Sequence, residues 1–427
     1  MRILSGNAAA AKVRKLAARS AQYANAEPTV RRMIADVRRR GDKAVHKYAR
    51  QFDGLVPRMA LRVPDAEIED AWSGTGSELK RALRTAAANI RRFCEKQKPR
   101  EWMRTSGGIS LGQIVRPLDS VGCYVPGGRH PLVSTLLMTV IPAQVAGVKR
   151  ICVASPKVHQ DVLAAAGMLG VREVYRIGGA QAIAALAYGT ETIPRVDKIV
   201  GPGNVYVTIA KKEIAFDCSI DFLAGPTEGL IVSDTGTPEF IASDLVAQAE
   251  HDPDAIAIFI TSKRQLAGKV ARWVDEMCGQ NAVARESIRR HGIILISKSR
   301  QESFDWANAI ACEHLAIDPG DVTLVRNAGS LFIGDYSAQA AGDYASGPNH
   351  VLPTGGTARF RGGLSVLDFV KIISVQKLSR PGLRRIAPAI ELLAGAEGLR
   401  AHAQSIRVRC EPVRCEPATA RARSRHA

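Results

Sequence analysis

From about residue 120 the chain alternates short β-rich runs with alanine-rich helical stretches, and this rhythm restricts the fold more than any other feature of the sequence. The first set of runs is VGCYVP, RICVAS, EVYRIG and DKIVGP, spaced about 25 residues apart. A second set follows as GLIVSD, AIAIFIT, GIILIS and SLFIGD, with PEFIASDLVAQAEH and KRQLAGKVARWVDEMC interleaved at helical spacing. Apolar strands separated by helices predict parallel sheets with crossover helices covering both faces. Two α/β units in tandem are predicted, with their boundary near residues 225 to 235.

The flanks read differently. Residues 28 to 51 carry apolar positions at helical spacing, with Gly41-Asp42 breaking them into two helices, and the pattern resumes through ELKRALRTAAANIRRFCEKQ. The reading is therefore a helical segment over residues 1–105, α/β units over 106–228 and 229–378, a helical segment over 379–409, and a disordered basic tail over 410–427.

A net charge of +18 raises the question of a nucleic-acid partner. Residues 1 to 105 hold 24 Lys and Arg against 11 Asp and Glu, and residues 407 to 427 hold 6 against 2, so the rest of the chain is almost balanced. With no aromatic residues interleaved to stack bases, the excess reads as solvated helix faces and tail, which argues against nucleic-acid binding. No apolar run is long enough to span a bilayer, so no membrane role is expected. The basic N-terminus lacks a cleavable apolar core, so a cytoplasmic protein is expected. The eight cysteines form no CxxC pair, which argues against a zinc ribbon or a disulfide scaffold.

Four glycine-rich turns stand out: YVPGG from Tyr124, IGGAQ from Ile177, VGPGN from Val200 and LAGPTEG from Leu223. None is a GxGxxG fingerprint, but each follows a predicted strand, where open α/β sheets bind ligands. Polar candidates fall late in the chain: Gln248 and His251, Glu313-His314, Asp343 and His350, Glu397 and His402. If the helix runs as far as His251, Gln248 and His251 share one face. Gln248, His251, Asp343 and His402 together offer two nitrogen and two oxygen ligands, a mix that suits zinc, although Gln is an uncommon zinc ligand. Read as helical neighbours, Glu313 and His314 fit equally a surface helix end or an acid/base pair bordering a cleft.

The motifs VGCYVPGG, IGGAQAIAALAYGT, VGPGNVYV, DFLAGPTE, DLVAQAEHDPD, CEHL, GDYASGPNHVLPTGGTARF and EGLRAHAQSIRVR occur in one order, and with them the sequence resembles the histidinol dehydrogenase family from about residue 28 to residue 409. The resemblance implies two incomplete Rossmann-like domains and a homodimer whose C-terminal segment enters the partner's site. It implies two NAD-linked oxidations of an amino alcohol to a carboxylate, and one zinc ion per subunit held by Gln248, His251, Asp343 and His402. Tyr124, Gln181 and Asn204 then correspond to NAD contacts. Thr227, His350 and Glu397 correspond to substrate contacts, alongside the metal ligands. His314 is implied as the base and Glu313 as the group that activates water. The sequence departs from the family's usual pattern at Cys312, Thr227 and Pro348, where Pro, Ser and Thr are common. VGCYVPGGRHPLV, with Arg129 and His130, is also similar to paralogues that oxidise other small polar primary alcohols such as sulfonated diols. Histidinol and such an alcohol both stand as substrate readings.

Overall fold

The computed structural model describes residues 1–19, 25–127 and 132–411. Arg129, His130 and most of the expected tail lie outside them. Contacts divide the chain into two compact units, one of Met1–Lys98 with Pro117–Val370 and one of Pro99–Arg116 with the chain from Lys371 onward. The boundaries expected at 105, 228 and 378 do not coincide with these units.

The first unit holds two all-parallel sheets, and all eight strand runs read from the sequence fall in them. In the first sheet the order is Glu173–Tyr175, Arg150–Ala154, Ser120–Tyr124, Lys198–Val200, Ser219–Ile220. Counted along the chain this is 3-2-1-4-5, so the winding reverses between the Ser120–Tyr124 and Lys198–Val200 strands. Such a reversal opens a crevice at the carboxyl ends of the two strands. Their following loops meet closely there, since a Cβ on Gly201, whose φ is 113°, would fall 2.1 Å from the Tyr124 carbonyl oxygen.

The second sheet repeats the order with Ile293–Ile296, Ile256–Thr261, Glu228–Val232, His314–Ile317 and Ser330–Ile333, and adds Arg2–Ser5 on one edge. Residues 1–105 are thus not wholly helical, because Arg2–Ser5 pairs with Ile293–Ile296. Both faces of each sheet are covered. The helices Asp65–Gly74, Ser77–Gln97, Val133–Ala146 and Gln160–Met168 enclose one apolar core on the first sheet, and Glu27–Arg40, Gly179–Tyr188 and Val205–Ile214 enclose the other. On the second sheet the corresponding cores involve Gly6–Ala17 with Arg300–Ile310, and Pro238–Ala249 with Arg264–Met277 and Ala282–His291.

The VGPGN loop is fixed from below by a buried ion pair. Lys211 Nζ lies 2.7 Å from Asp221 Oδ1, while Asp221 Oδ2 accepts the Gly201 N–H at 2.8 Å. Lys211→Met leaves the Asp221 charge buried without its cation, which costs about 3–5 kcal/mol. Urea unfolding of the variant measures this, and a loss below about 1 kcal/mol would place the pair among the weak surface type.

The second unit contains a three-stranded sheet, in the order Val370–Leu378, Ile109–Pro117, Trp102–Ser106, and the helices Arg380–Ala396 and Arg400–Cys410. Gly107 and Gly108, at φ 54° and 78°, make the two-residue turn of an antiparallel hairpin. No helix among the described residues is long and apolar enough to cross a membrane.

Candidate active site

Two strands of the second sheet begin side by side, with His314 opposite Gly229 in the ladder. The expectation of a helical Glu313-His314 pair is corrected here. The Arg300–Ile310 helix stops because Ala311 takes a left-handed φ of 51°, and His314 opens a strand. Burial explains the preference, since His314 and Leu315 enter the sheet interior where a continuing helix would have projected them outward.

The Pro238–Ala249 helix follows the Glu228–Val232 strand and returns its C-terminus to the same edge. It ends at Ala249, so Gln248 is helical and His251 lies beyond the last turn. The His251 ring nevertheless stays beside the helix, because its Nδ1 lies 3.0 Å from the Ala247 carbonyl oxygen. Gly229 makes room for Gln248, as a Cβ there would sit 2.8 Å from Gln248 Cγ.

A run of hydrogen bonds joins these elements. Gln248 Nε2 donates to Thr227 Oγ1 at 2.7 Å, and Thr227 Oγ1 donates to Glu313 Oε2 at 2.6 Å. The Glu228 N–H reaches the same carboxylate oxygen at 2.9 Å. His314 lies between two carboxylates, with Nδ1 3.7 Å from Glu313 Oε2 and Nε2 3.4 Å from Asp343 Oδ1. Its ring stacks on Phe332 at 5.9 Å between centroids.

Burial strongly shapes the charges. Burial raises the Glu313 pKa, against the lowering effects of His314 and the two donors at its carboxylate. Burial also opposes charging of His314, but Glu313 and Asp343 outweigh it and hold the imidazole up to about 9. Asp343 is held below the usual carboxylate range: burial pushes it up, yet His314, His350 and His251 together prevail. Those three histidines therefore share one neighbourhood around Asp343. His350 is fixed by Nδ1, 2.7 Å from the Asp343 carbonyl oxygen, and by Nε2, 3.3 Å from Thr135 Oγ1.

Thr227, Gln248, Glu313, His314, Asp343, His251 and His350 are thus brought together. Glu397 and His402 belong to the second unit, where both are exposed. Among the described residues no three His, Cys, Asp or Glu side chains form a metal-binding group. Of the four expected ligands, Gln248 is an amide and His402 belongs to the other unit, which leaves His251 and Asp343 as the ionisable pair of this unit.

The nucleotide candidates stand at the crevice of the first sheet. Tyr124 ends its strand and its hydroxyl accepts the Gly179 N–H at 3.1 Å. Gln181, 1% exposed, donates from Nε2 to Asp53 Oδ2 at 3.0 Å. Asn204 caps the Val205–Ile214 helix, its Oδ1 accepting from Tyr206 and Val207. The second-sheet site, by contrast, sits where strands begin, so the expectation that ligand loops follow strand ends describes only the first sheet. The LAGPTEG segment leads from the Ser219–Ile220 strand of the first sheet into the Glu228–Val232 strand of the second.

Sequence reasoning passed over several contributors. Asp53 and Glu228 are buried carboxylates, and Glu228 is paired with Arg19, whose Nε lies 2.6 Å from its Oε1. Each lies far along the chain from its partners, so no local pattern signals it. Cys312 is fully buried, and burial pushes its thiol far up, which makes it an inert packing group. All seven described cysteines are free.

Comparison with known proteins gives one answer. The family model described as histidinol dehydrogenase matches residues 16–410. The histidinol dehydrogenase of Methanothermobacter thermautotrophicus is 49% identical over 391 residues, covering 88% of this chain and 92% of the relative. That of Geobacillus kaustophilus is 47% identical over 393 residues, covering 89% and 92%. The crystal structure of histidinol dehydrogenase from Elizabethkingia anophelis superposes with a TM-score of 0.91 at 35% identity, over 96% of this chain and 98% of that one. The chain with these repeated 3-2-1-4-5 sheets is therefore an NAD-dependent oxidoreductase acting on CH–OH donors, and it belongs to the histidinol dehydrogenase family.

Proposed function

We propose that this chain oxidises L-histidinol, through bound L-histidinaldehyde, to L-histidine in two hydride transfers at the Glu313-His314 edge. The observation that carries the reading is the hydrogen-bonded run Gln248–Thr227–Glu313 beside a histidine held between two carboxylates. Such an arrangement can take a proton at one group and activate water at the other.

His314 takes the alcohol proton. The Glu313 carboxylate beside its Nδ1 stabilises the imidazolium that forms, and Phe332 fixes the plane of the ring. Glu313 then orients and deprotonates the water that adds to the aldehyde. Its Oε2 is committed to Thr227 and Glu228, which leaves Oε1 for the water. His350, fixed at both ring nitrogens, and Thr227 shape the substrate's surroundings, with the partner's Glu397 closing them. Holding the aldehyde between the two steps prevents its escape. NAD, when bound, accepts the hydride in each oxidation.

The residues present fit zinc. Gln248 Nε2 is spent on Thr227, so its Oε1 is the atom that remains to coordinate. The His251 Nδ1–H is spent on the Ala247 carbonyl, leaving the Nε2 lone pair. Asp343 supplies the charge, and His402 from a second copy supplies the fourth ligand. Zinc in that place would anchor the substrate's imidazole and amine, contributing positioning. The dimer is supported by the second unit's apolar surface, where Leu392 and Leu393 are 76% and 64% exposed. A cytoplasmic enzyme is proposed.

Thr227 answers the question raised by its departure from Ser, because its hydroxyl is wholly engaged with Glu313 and Gln248 and its methyl leaves both bonds intact. Zinc titration should give one ion per chain, and Gly229→Ala, which pushes on Gln248, should weaken zinc binding about tenfold or more. Unchanged zinc affinity would remove Gln248 from the ligand set. A substrate panel followed by NADH absorbance tests the reading as a whole. NADH formation with histidinol supports it, and formation with a sulfonated diol but not with histidinol would overturn it.

A further inference from the structure

Asp53 lies outside the catalytic edge, at the end of the helical segment that follows Gly41, yet it is 7% exposed and reaches the nucleotide crevice. Its Oδ2 accepts two hydrogen bonds from the IGGAQ loop, from the Gly178 N–H at 2.9 Å and from Gln181 Nε2 at 3.0 Å. Burial raises its pKa, and the two donors and Lys157 pull the other way. The other end of the Gln181 amide has no such match. Gln181 Oε1 is buried without a hydrogen-bond partner, and it lies where a Cβ on Gly179 would approach to 2.9 Å. A buried acceptor left unpaired is costly, so a group that fills it is strongly selected.

We infer that Asp53 is a positioning residue that sets the orientation of the Gln181 amide, so that Gln181 presents its carbonyl oxygen to the dinucleotide and recognises a hydrogen-bond donor on it. An ionised carboxylate only accepts, so it selects the NH2 end of the amide and turns the oxygen towards the Gly179 turn. The ligand group must then be a ribose hydroxyl, the adenine amine or the NH2 of the nicotinamide carboxamide. A phosphate oxygen, which also accepts, is disfavoured at Gln181. Asp53 thus holds the turn at Gly178 and Gln181, and the Tyr124 hydroxyl holds it separately at the Gly179 N–H between them. The inference rests on the assignment of Gln181 as an NAD contact.

The test is NAD binding by calorimetry, with KM and kcat, on the zinc-loaded wild type, Asp53→Ala, Asp53→Asn, Gln181→Met and the double variant Asp53→Ala/Gln181→Met. Asp53→Ala and Gln181→Met should each weaken NAD about tenfold, the worth of one ordinary hydrogen bond, with kcat and the histidinol KM within about twofold. The double variant should be no weaker than Gln181→Met alone, because the two residues act as one unit. Asp53→Asn, whose amide oxygen can accept both bonds, should recover most of the affinity. Independently of any Asp53 variant, NAD analogues lacking each ribose hydroxyl, the adenine amine or the NH2 of the nicotinamide carboxamide in turn should include one that wild type binds about tenfold more weakly than NAD. Gln181→Met should not distinguish that analogue from NAD. If Gln181→Met binds NAD as tightly as wild type, the assignment of Gln181 fails. If Gln181→Met weakens NAD but Asp53→Ala does not, or the two losses multiply, the role of Asp53 is overturned while that assignment stands. An analogue series with no such member overturns the donor recognition.

Discussion

His314→Asn is expected to lower the first oxidation of histidinol about a thousandfold, within the range that a positioned general base contributes. Asn is close to imidazole in reach but cannot take a proton. The loss should fall on kcat, with NAD affinity unchanged, since Tyr124 and Gln181 lie on the other sheet. The fold should survive, because His314 sits at the first position of its strand and its ladder bonds to Gly229 and Ser330 are made by the backbone. Stopped-flow NADH formation reads the step directly. A rate within tenfold of wild type would assign the base elsewhere.

Glu313→Gln is expected to separate the two oxidations. The amide oxygen of Gln can still accept from Thr227 and from the Glu228 N–H, so the pocket keeps its shape. Lost is the carboxylate that deprotonates water, and the second oxidation should slow by about a hundredfold or more. Aldehyde formation should stay within about tenfold of wild type. The variant should therefore release one NADH per site in a rapid phase and then stall, with the aldehyde recoverable by semicarbazide. Equal loss of both steps would contradict the division of roles between Glu313 and His314.

The sheets were legible because buried parallel strands must be apolar along their whole length, which makes runs such as AIAIFIT and GIILIS visible without context. Arg2–Ser5 was hidden for the opposite reason, being a short edge strand with polar and exposed positions. His314–Ile317 was hidden by the alanine-rich NAIACEHLAID, in which one backbone angle at Ala311 converts an apparent helix into a strand. The hairpin at Gly107-Gly108 carried a readable signal, a glycine pair between two β-rich runs.

At the site, residue types were legible and their contacts were not. Thr227, Gln248 and Glu313 span 86 positions from first to last, and only the fold brings their side chains into one hydrogen-bonded run. The residue types themselves marked Gln248 and Glu313, and the resemblance added Thr227. It could not indicate that Thr227 spends its proton on Glu313, or that Asp53 stands behind Gln181. Those follow from burial, which forces each polar atom to find a partner.

The central claim is that one site performs two successive oxidations of histidinol. It is tested most directly by the NADH formed per histidinol consumed, using zinc-loaded protein, excess NAD and complete turnover. The account predicts two NADH and one histidine for each histidinol. One NADH with accumulated aldehyde, or no NADH from histidinol, would contradict it.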